Sequence, residues 1–287
     1  MKHCIIMTAY KDVKIINHFI SLTPKDWGIY IHLDKKSKLR ISDINPRAKV
    51  FSIKKVYWGG WEHLYVFWFL LNQAKESGTY FDYYHLISGQ DFYASPIALF
   101  DELLGNEGMN YMGIFSIPNR YWHWDGGYKI FKYRTLSSFC DIRKTFPRAI
   151  NKIYYLLQKY THTERRLPPY PLFGSSVYSS LHHDFVEWML DSDLAKSLLH
   201  NLKNSVCAEE VFFQTVIMNS PFKQKVKAEE TLRYVDWHSN PRPKFLDTND
   251  FEKIKNSGSL FCRKVDSQLS RGLISLLENY AKNGSNK

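Results

Sequence analysis

Residues 3–34 read HCIIMTAYKDVKIINHFISLTPKDWGIYIHLD, with two short apolar runs on either side of a segment with helical spacing. The runs His3–Thr8 and Gly28–Leu33 predict strands, and Val13–Leu22 predicts a helix between them. Two strands that are joined through a helix pair in parallel, because a tight turn connects only antiparallel strands. The stretch therefore predicts a β-α-β unit and an α/β fold.

The same alternation continues beyond residue 34. Further elements are predicted as strands at Val50–Ile53, Tyr83–Ile87 and Asn110–Phe115, and as helices at Gly60–Ala74 and Ser95–Leu104. A turn at 88–91 closes the strand Tyr83–Ile87, and Ser205 is expected to cap a later helix at Glu209–Met218. This order predicts a Rossmann-like, mostly parallel central sheet with helices on both faces. Ligands of such sheets bind at the carboxyl ends of the strands, so we expect Asp34 and Asp91, which follow predicted strands, near a ligand.

Positive charge is concentrated in the middle of the chain. The 287 residues contain 39 Lys and Arg against 28 Asp and Glu, a net charge of +11. Residues 115–170 alone carry 11 basic and three acidic side chains, interleaved with Tyr, Trp and Phe. This pattern predicts a basic-aromatic helical insertion and an anionic partner, for which nucleotide phosphate, nucleic acid and anionic membrane all qualify.

Several classes of protein are excluded or disfavoured. The chain has no run of 18 apolar residues, and its first residues resemble a strand rather than a signal peptide. Four dispersed cysteines without C-x-x-C argue against disulfides and fit the cytoplasm. No G-x-x-x-x-G-K-[ST] or G-x-G-x-x-G occurs, and Asp191-Ser192-Asp193 lies between two predicted helices rather than after a strand, so no metal site is expected.

An ordered set of segments carries a family resemblance. The segments are HLDKKS (32–37), VYWGGWEHLYVFWFLLNQA (56–74), LISGQDFYASP (86–96), AEEVFFQT (208–215), LRYVDW (232–237) and SLFCRKVD (259–266). Together they resemble the core-2/I-branching β-1,6-N-acetylglucosaminyltransferase family (glycosyltransferase family 14-like), which includes peptide O-xylosyltransferases and bacterial relatives. The resemblance spans residues 3–266 and implies a GT-A fold, an inverting mechanism and a UDP-sugar donor, with no divalent metal and no other cofactor.

Inverting sugar transfer needs a general base for the acceptor hydroxyl and positive charge at the leaving diphosphate. The resemblance assigns the base to Glu210. Glu209 is the alternative, because the family's Pro-Asp-Glu reads Ala208-Glu209-Glu210 here. The resemblance also assigns Arg263 and Lys264 to the donor diphosphate, where fixed cations can replace a metal ion.

The remaining site predictions also follow from the resemblance and concern both substrates. For the donor, Asp34 is expected at the uracil, Trp58 beside the nucleotide or in the core, and Ser88, Gly89 and Asp91 along the donor site. For the acceptor, Trp237 and Arg233 are expected, with structural ion pairing as the alternative for Arg233. Lys129 and Lys132 of the insertion are expected to contact the acceptor as well.

These inferences combine into one prediction of organisation and function. The chain is expected to be a single GT-A catalytic domain (1–287), with a nucleotide-binding half (1–114), the insertion (115–170), an acceptor and catalytic half (171–266), and a C-terminal helix with a tail (267–287). It is expected to transfer a sugar from a donor such as UDP-GlcNAc or UDP-xylose to a glycan or lipid-linked oligosaccharide, forming a β-linkage in bacterial surface polysaccharide. The expected location is the cytoplasm, with peripheral contact at the inner face of an anionic membrane. A nucleic-acid-binding protein and an inactive transferase relative are the alternatives.

Overall fold

The computed structural model describes residues 1–283. The strands are β1 (His3–Ala9), β2 (Gly28–Leu33), β3 (Lys49–Phe51), β4 (Tyr83–Ser88), β5 (Asp91–Tyr93), β6 (Asn110–Tyr111), β7 (Phe115–Ile117), β8 (Leu172–Gly174), β9 (Ser180–His182), β10 (Val226–Lys227), β11 (Arg233–Val235) and β12 (Phe261–Arg263). The helices are α1 (Val13–Leu22), α2 (Glu62–Glu76), α3 (Phe100–Leu104), α4 (His123–Gly126), α5 (Tyr128–Lys132), α6 (Thr145–Tyr160), α7 (His183–Asp191), α8 (Asp193–Asn201), α9 (Glu209–Met218), α10 (Phe251–Lys255) and α11 (Arg271–Asn283). The predicted tail beyond residue 283 lies outside the described residues.

A seven-stranded sheet forms the centre of the molecule, in the order β10-β6-β9-β4-β1-β2-β3. β1 pairs in parallel with both β2 and β4, whereas β9 runs antiparallel between β4 and β6. The prediction of a mostly parallel central sheet is therefore confirmed. The parallel strands β1, β2 and β4 end at the same edge, near Asp34 and Ser88.

Both faces of this sheet are covered, as β1 shows. Cys4 and Ile6 pack into one apolar cluster with residues of α2, α7, α8 and α9. Ile5 and Met7 point the other way, into a second cluster with residues of α1, α3 and α11. Alternate side chains of one strand thus enter two cores, and this is why the strand reads as a continuous apolar run.

A three-stranded sheet, β11-β12-β5, lies beside the central sheet. β12 runs antiparallel to β5 and sets Arg263 opposite Asp91. The sequence predicted a turn at 88–91 but no strand after it, because β5 is stabilised by a partner about 170 residues further along the chain. The sheet edge and this small sheet together frame the site described below.

Two local predictions were wrong. The single strand expected at Asn110–Phe115 is divided: β6 joins the central sheet, and β7 pairs with β8. Gly113 lies at the break, where a Cβ atom would come within 2.4 Å of Ser175 Oγ. Ser205 was expected to cap α9, but its hydroxyl accepts a hydrogen bond from Arg165 at 2.6 Å.

Candidate active site

Asp34 lies just beyond the end of β2 and accepts hydrogen bonds from its own loop and from the segment after β3. Its Oδ1 accepts hydrogen bonds from the backbone N–H of Lys36 at 2.8 Å and of Val56 at 3.2 Å. Its Oδ2 accepts from Lys36 Nζ at 2.5 Å. The residue is at the sheet edge where it was expected. A uracil N–H can reach it only by sharing an oxygen with these donors.

Asp91 and Arg263 form a buried pair across β5 and β12. The backbone N–H and the hydroxyl of Ser88 donate to Asp91 Oδ2 at 2.7 and 2.5 Å, whereas Asp91 Oδ1 faces Arg263 Nε at 3.7 Å. The Arg263 guanidinium lies over the ring of Tyr178, 3.5 Å from its centroid. Tyr178 was missed in the sequence, because no motif marked it.

Arg263 has unused hydrogen-bonding capacity. The side chain is only 6% exposed, and neither Nε nor Nη1 has a hydrogen-bond partner among residues 1–283. Buried guanidinium donors are ordinarily satisfied, and a phosphate oxygen is an acceptor that suits them. The geometry therefore fits the predicted contact between Arg263 and a diphosphate.

Further cations converge on the same place. Burial and the charge of Arg263 lower the pKa of half-buried Lys264, and Lys11 and Arg143 add to this effect. Lys11 also lies 3.4 Å from Asp266, so it is fixed near the end of β12. Mutual repulsion among these cations is relieved when an anion binds between them. Lys11 and Arg143 were not predicted, since they come from segments far from β12 in sequence.

The two glutamates at the start of α9 have different surroundings. His63 Nδ1 donates to Glu209 Oε1 at 3.0 Å, and His63 Nε2 accepts from the Thr8 hydroxyl at 3.2 Å. Burial and the neighbouring Glu209 raise the pKa of Glu210 to about 8. Glu209 is thus held in place by His63, whereas Glu210 is poised to exchange a proton near neutral pH. His63, inside the apolar helix α2, was not predicted.

Cys207 stands beside these glutamates. One ligand atom each of Cys207, Glu209 and Glu210 lie within 4.8 Å of one another, an arrangement that could hold a cation. Burial and the two carboxylates, however, raise the pKa of the Cys207 thiol. A thiol that keeps its proton is a poor metal ligand. Metal independence stays a prediction, and the titration described below tests it.

Trp58 borders a cleft with a volume of about 450 Å³. The indole is 45% exposed, and the Arg143 guanidinium lies 5.1 Å from its ring centroid. The cleft is lined mainly by residues of the insertion, which include Trp124, Lys129, Tyr133, Ile142, Arg148, Asn151, Lys152 and Tyr155. Of the two predicted acceptor lysines, Lys129 lines the cleft, whereas the described contact of Lys132 is with the ring of Tyr128.

Arg233, Gly89 and Trp237 were also predicted as site residues. Arg233 is buried and donates to Ser179 O at 2.7 Å and to Ser180 Oγ at 3.1 Å, and burial lowers its pKa to about 9. These bonds hold its side chain against β9, and its contact with the acceptor stays a prediction. A Cβ atom at Gly89 would lie 3.1 Å from the Ala9 Cβ, so its small size allows close packing. Trp237 is 55% exposed, in the loop after β11.

The fold and this site define the class of protein: a GT-A-like glycosyltransferase. Residues 5–255 match the Core-2/I-Branching enzyme family, and the chain belongs to that family. It is similar to the beta-glucuronosyltransferase GlcAT14A of Arabidopsis thaliana, with 29% identity over 128 residues. That match covers 41% of this chain and 28% of the plant protein, well under two thirds of its length. Family membership makes the chain an enzyme and disfavours the nucleic-acid-binding alternative.

Proposed function

We propose that this glycosyltransferase moves a sugar from a UDP-sugar to a hydroxyl group of a glycan, with inversion at the anomeric carbon, to form a β-linkage. One observation carries the proposal. Buried, unpartnered donors of Arg263 lie over the ring of Tyr178 in a group of cations, and the charge of Glu209 acts on Tyr178 in turn. Such an arrangement supplies the two requirements of the reaction, a base and a stabilised leaving group.

In the proposed reaction, the acceptor oxygen forms a bond to the anomeric carbon as the bond between that carbon and the diphosphate oxygen breaks. Glu210 takes the proton of the attacking hydroxyl. Its raised pKa makes the ionised carboxylate a stronger base than an ordinary glutamate. Arg263 and Lys264, with Lys11 and Arg143 nearby, neutralise the negative charge that develops on UDP.

The same cations support the proposal that the reaction needs no metal ion. A divalent ion in a sugar transferase neutralises the diphosphate, and fixed guanidinium and ammonium groups can also neutralise it. The family resemblance favours UDP-GlcNAc or a UDP-xylose-like donor. The name of the plant relative adds UDP-glucuronic acid to the donors that should be tested. We place the reaction in the synthesis of bacterial surface polysaccharide.

Calorimetric titration with UDP tests the nucleotide site, run once in EDTA and once in Mn²⁺. We expect similar affinity in both buffers. Lys264→Met should weaken binding about tenfold to a hundredfold, since a charge-assisted hydrogen bond contributes about 1.5–3 kcal/mol. Lys253→Met, an exposed lysine of α10, is the matched control and should bind UDP normally.

Either of two results would contradict this proposal. Binding that requires Mn²⁺ would show that the cations do not replace a metal and would direct attention to Cys207, Glu209 and Glu210. No binding of UDP in either buffer would show that the donor is not a uridine nucleotide sugar.

A further inference from the structure

Helix α6 carries a row of apolar side chains that the rest of residues 1–283 leaves exposed. The row consists of Phe146, Ile150, Ile153, Leu157 and Tyr160, which are between 38% and 84% exposed. Successive members are four, three, four and three residues apart, so they share one face of the helix. This row is called the α6 stripe below. Among the 16 residues of α6, only Gln158 is buried.

The opposite side of α6 is fixed to the protein by polar bonds. The Gln158 amide accepts from Arg134 N at 3.0 Å and donates to Arg134 O at 2.9 Å. Asn151 Oδ1 accepts from Leu136 N at 2.9 Å. These bonds set the rotation of the helix, so the α6 stripe faces outward as a consequence of how α6 is held.

The charge of this region points to an anionic partner. Between Thr145 and Tyr160 the helix has three basic residues and no acidic one, and Lys144 precedes it. The exposed basic side chains Arg148, Lys152 and Lys159 lie on another face of the helix, away from the α6 stripe, and Arg148 and Lys152 line the cleft. A helix with large apolar side chains on one face and Lys and Arg on its polar face is the pattern of helices that lie in the interface of an anionic bilayer.

Other occupants fit less well. Two copies joined stripe to stripe would cover the apolar side chains but would leave the basic side chains of both helices without an anionic partner. A nucleic acid would be attracted by the charge, but Ile and Leu side chains do not stack on bases as aromatic side chains do. No helix of residues 1–283 is long and apolar enough to cross a bilayer. The stripe is therefore suited to lie on a bilayer surface.

We propose that the α6 stripe inserts into the interfacial layer of an anionic lipid bilayer, with the long Lys and Arg side chains of the helix extending toward the headgroup phosphates. Arg148, Asn151, Lys152 and Tyr155 line the cleft beside Trp58, on the side of the helix away from the stripe. Docking therefore holds the cleft one helix diameter, ~10 Å, from the bilayer, within reach of the glycan of a lipid-linked acceptor. This acceptor class rests on the proposed transfer reaction, whereas the docking does not.

Co-sedimentation with vesicles tests the docking. The probes are vesicles of phosphatidylcholine alone and of phosphatidylcholine mixed with phosphatidylglycerol, and we expect binding to the mixed vesicles. Ile153→Asn/Leu157→Asn should weaken it at least tenfold, because two apolar side chains no longer enter the lipid. Lys144→Gln/Lys159→Gln should weaken it about fivefold per charge removed.

Matched controls come from elsewhere on the surface. Leu269→Asn removes a side chain that is 64% exposed, and Lys223→Gln/Lys253→Gln removes two exposed charges. Both should bind vesicles like the unmodified protein. All of these variants should bind UDP normally, so loss of docking and failure of the nucleotide site are separate results.

Three results would overturn the proposal. The first is no binding to the mixed vesicles, and the second is equal binding by the protein and the Ile153/Leu157 variant. The third is a dimer in light scattering that this variant converts to monomers while vesicle binding is absent. The α6 stripe would then join two copies of the chain.

Discussion

Charged side chains are buried at the edge of the central sheet but exposed on helix α6. At the sheet edge, charged side chains are buried and held by neighbours, as Ser88 holds Asp91 and His63 holds Glu209. On α6, basic side chains are exposed, and large apolar side chains are exposed with them. Buried, oriented charge is suited to a reaction, whereas an exposed apolar stripe is suited to a surface. The comparison supports the proposed chemistry at the sheet edge and the proposed docking at α6.

The largest effect that would sharpen this comparison is at Glu210. Glu210→Gln should lower the rate of sugar transfer about 10²- to 10⁴-fold, because the general base is lost, while UDP affinity stays unchanged. Transfer assays with a panel of UDP-sugars and calorimetry measure the two quantities. Glu209→Gln is the matched variant and should lose less activity. If Glu209→Gln abolishes transfer and Glu210→Gln spares it, the base is Glu209.

The second test compares an apolar side chain of the core with one of the α6 stripe. Phe212→Ala, in the core under the sheet, should lower the free energy of unfolding by about 3–5 kcal/mol, because it leaves a cavity. Leu157→Ala, on the α6 stripe, should change it by no more than about 0.5 kcal/mol. Denaturant unfolding gives both values. A large loss at Leu157 would mean that the stripe is part of the core.

The third test uses pH. Since burial and Glu209 raise the pKa of Glu210 to about 8, the carboxylate needed as base is depleted as the pH falls below that value. The rate of transfer should therefore drop about tenfold per pH unit on the acid side. A profile of kcat/KM measures it. A rate that stays level down to the ordinary range of glutamate would mean that the base does not titrate near pH 8.

The smallest expected effect is on UDP affinity, and it distinguishes Trp58 from Trp237. Trp58→Ala should weaken UDP binding about fivefold to a hundredfold, because stacking on a base contributes about 1–3 kcal/mol. Trp237→Ala should leave UDP affinity unchanged and raise the KM for the acceptor. Calorimetry with UDP and acceptor-dependent rates distinguish them. Equal loss of UDP affinity in both variants would place Trp237 at the donor.

Much of the framework could be predicted, because its signals are local. The alternation of apolar runs identified β1, α1, β2 and α2 within a few residues. Predictions were wrong where the local structure depends on a contact with a distant segment. Ser205, for example, accepts a hydrogen bond from Arg165 instead of capping α9. The predicted site residues likewise divide: Asp91 and Arg263 form a buried pair, whereas the Arg233 side chain is held against β9.

By itself, the sequence determined the α/β class, the mostly parallel sheet, the basic insertion and the resemblance to a transferase family, because these are properties of composition, periodicity and motif order. The tertiary structure alone decided that His63 bonds Glu209, that Tyr178 lies under Arg263, that the charges of Lys11 and Arg143 act on Lys264, and that the α6 stripe faces outward. The physical reason is separation along the chain. Each of these features depends on contacts between segments whose relative positions follow from the packing of the whole chain.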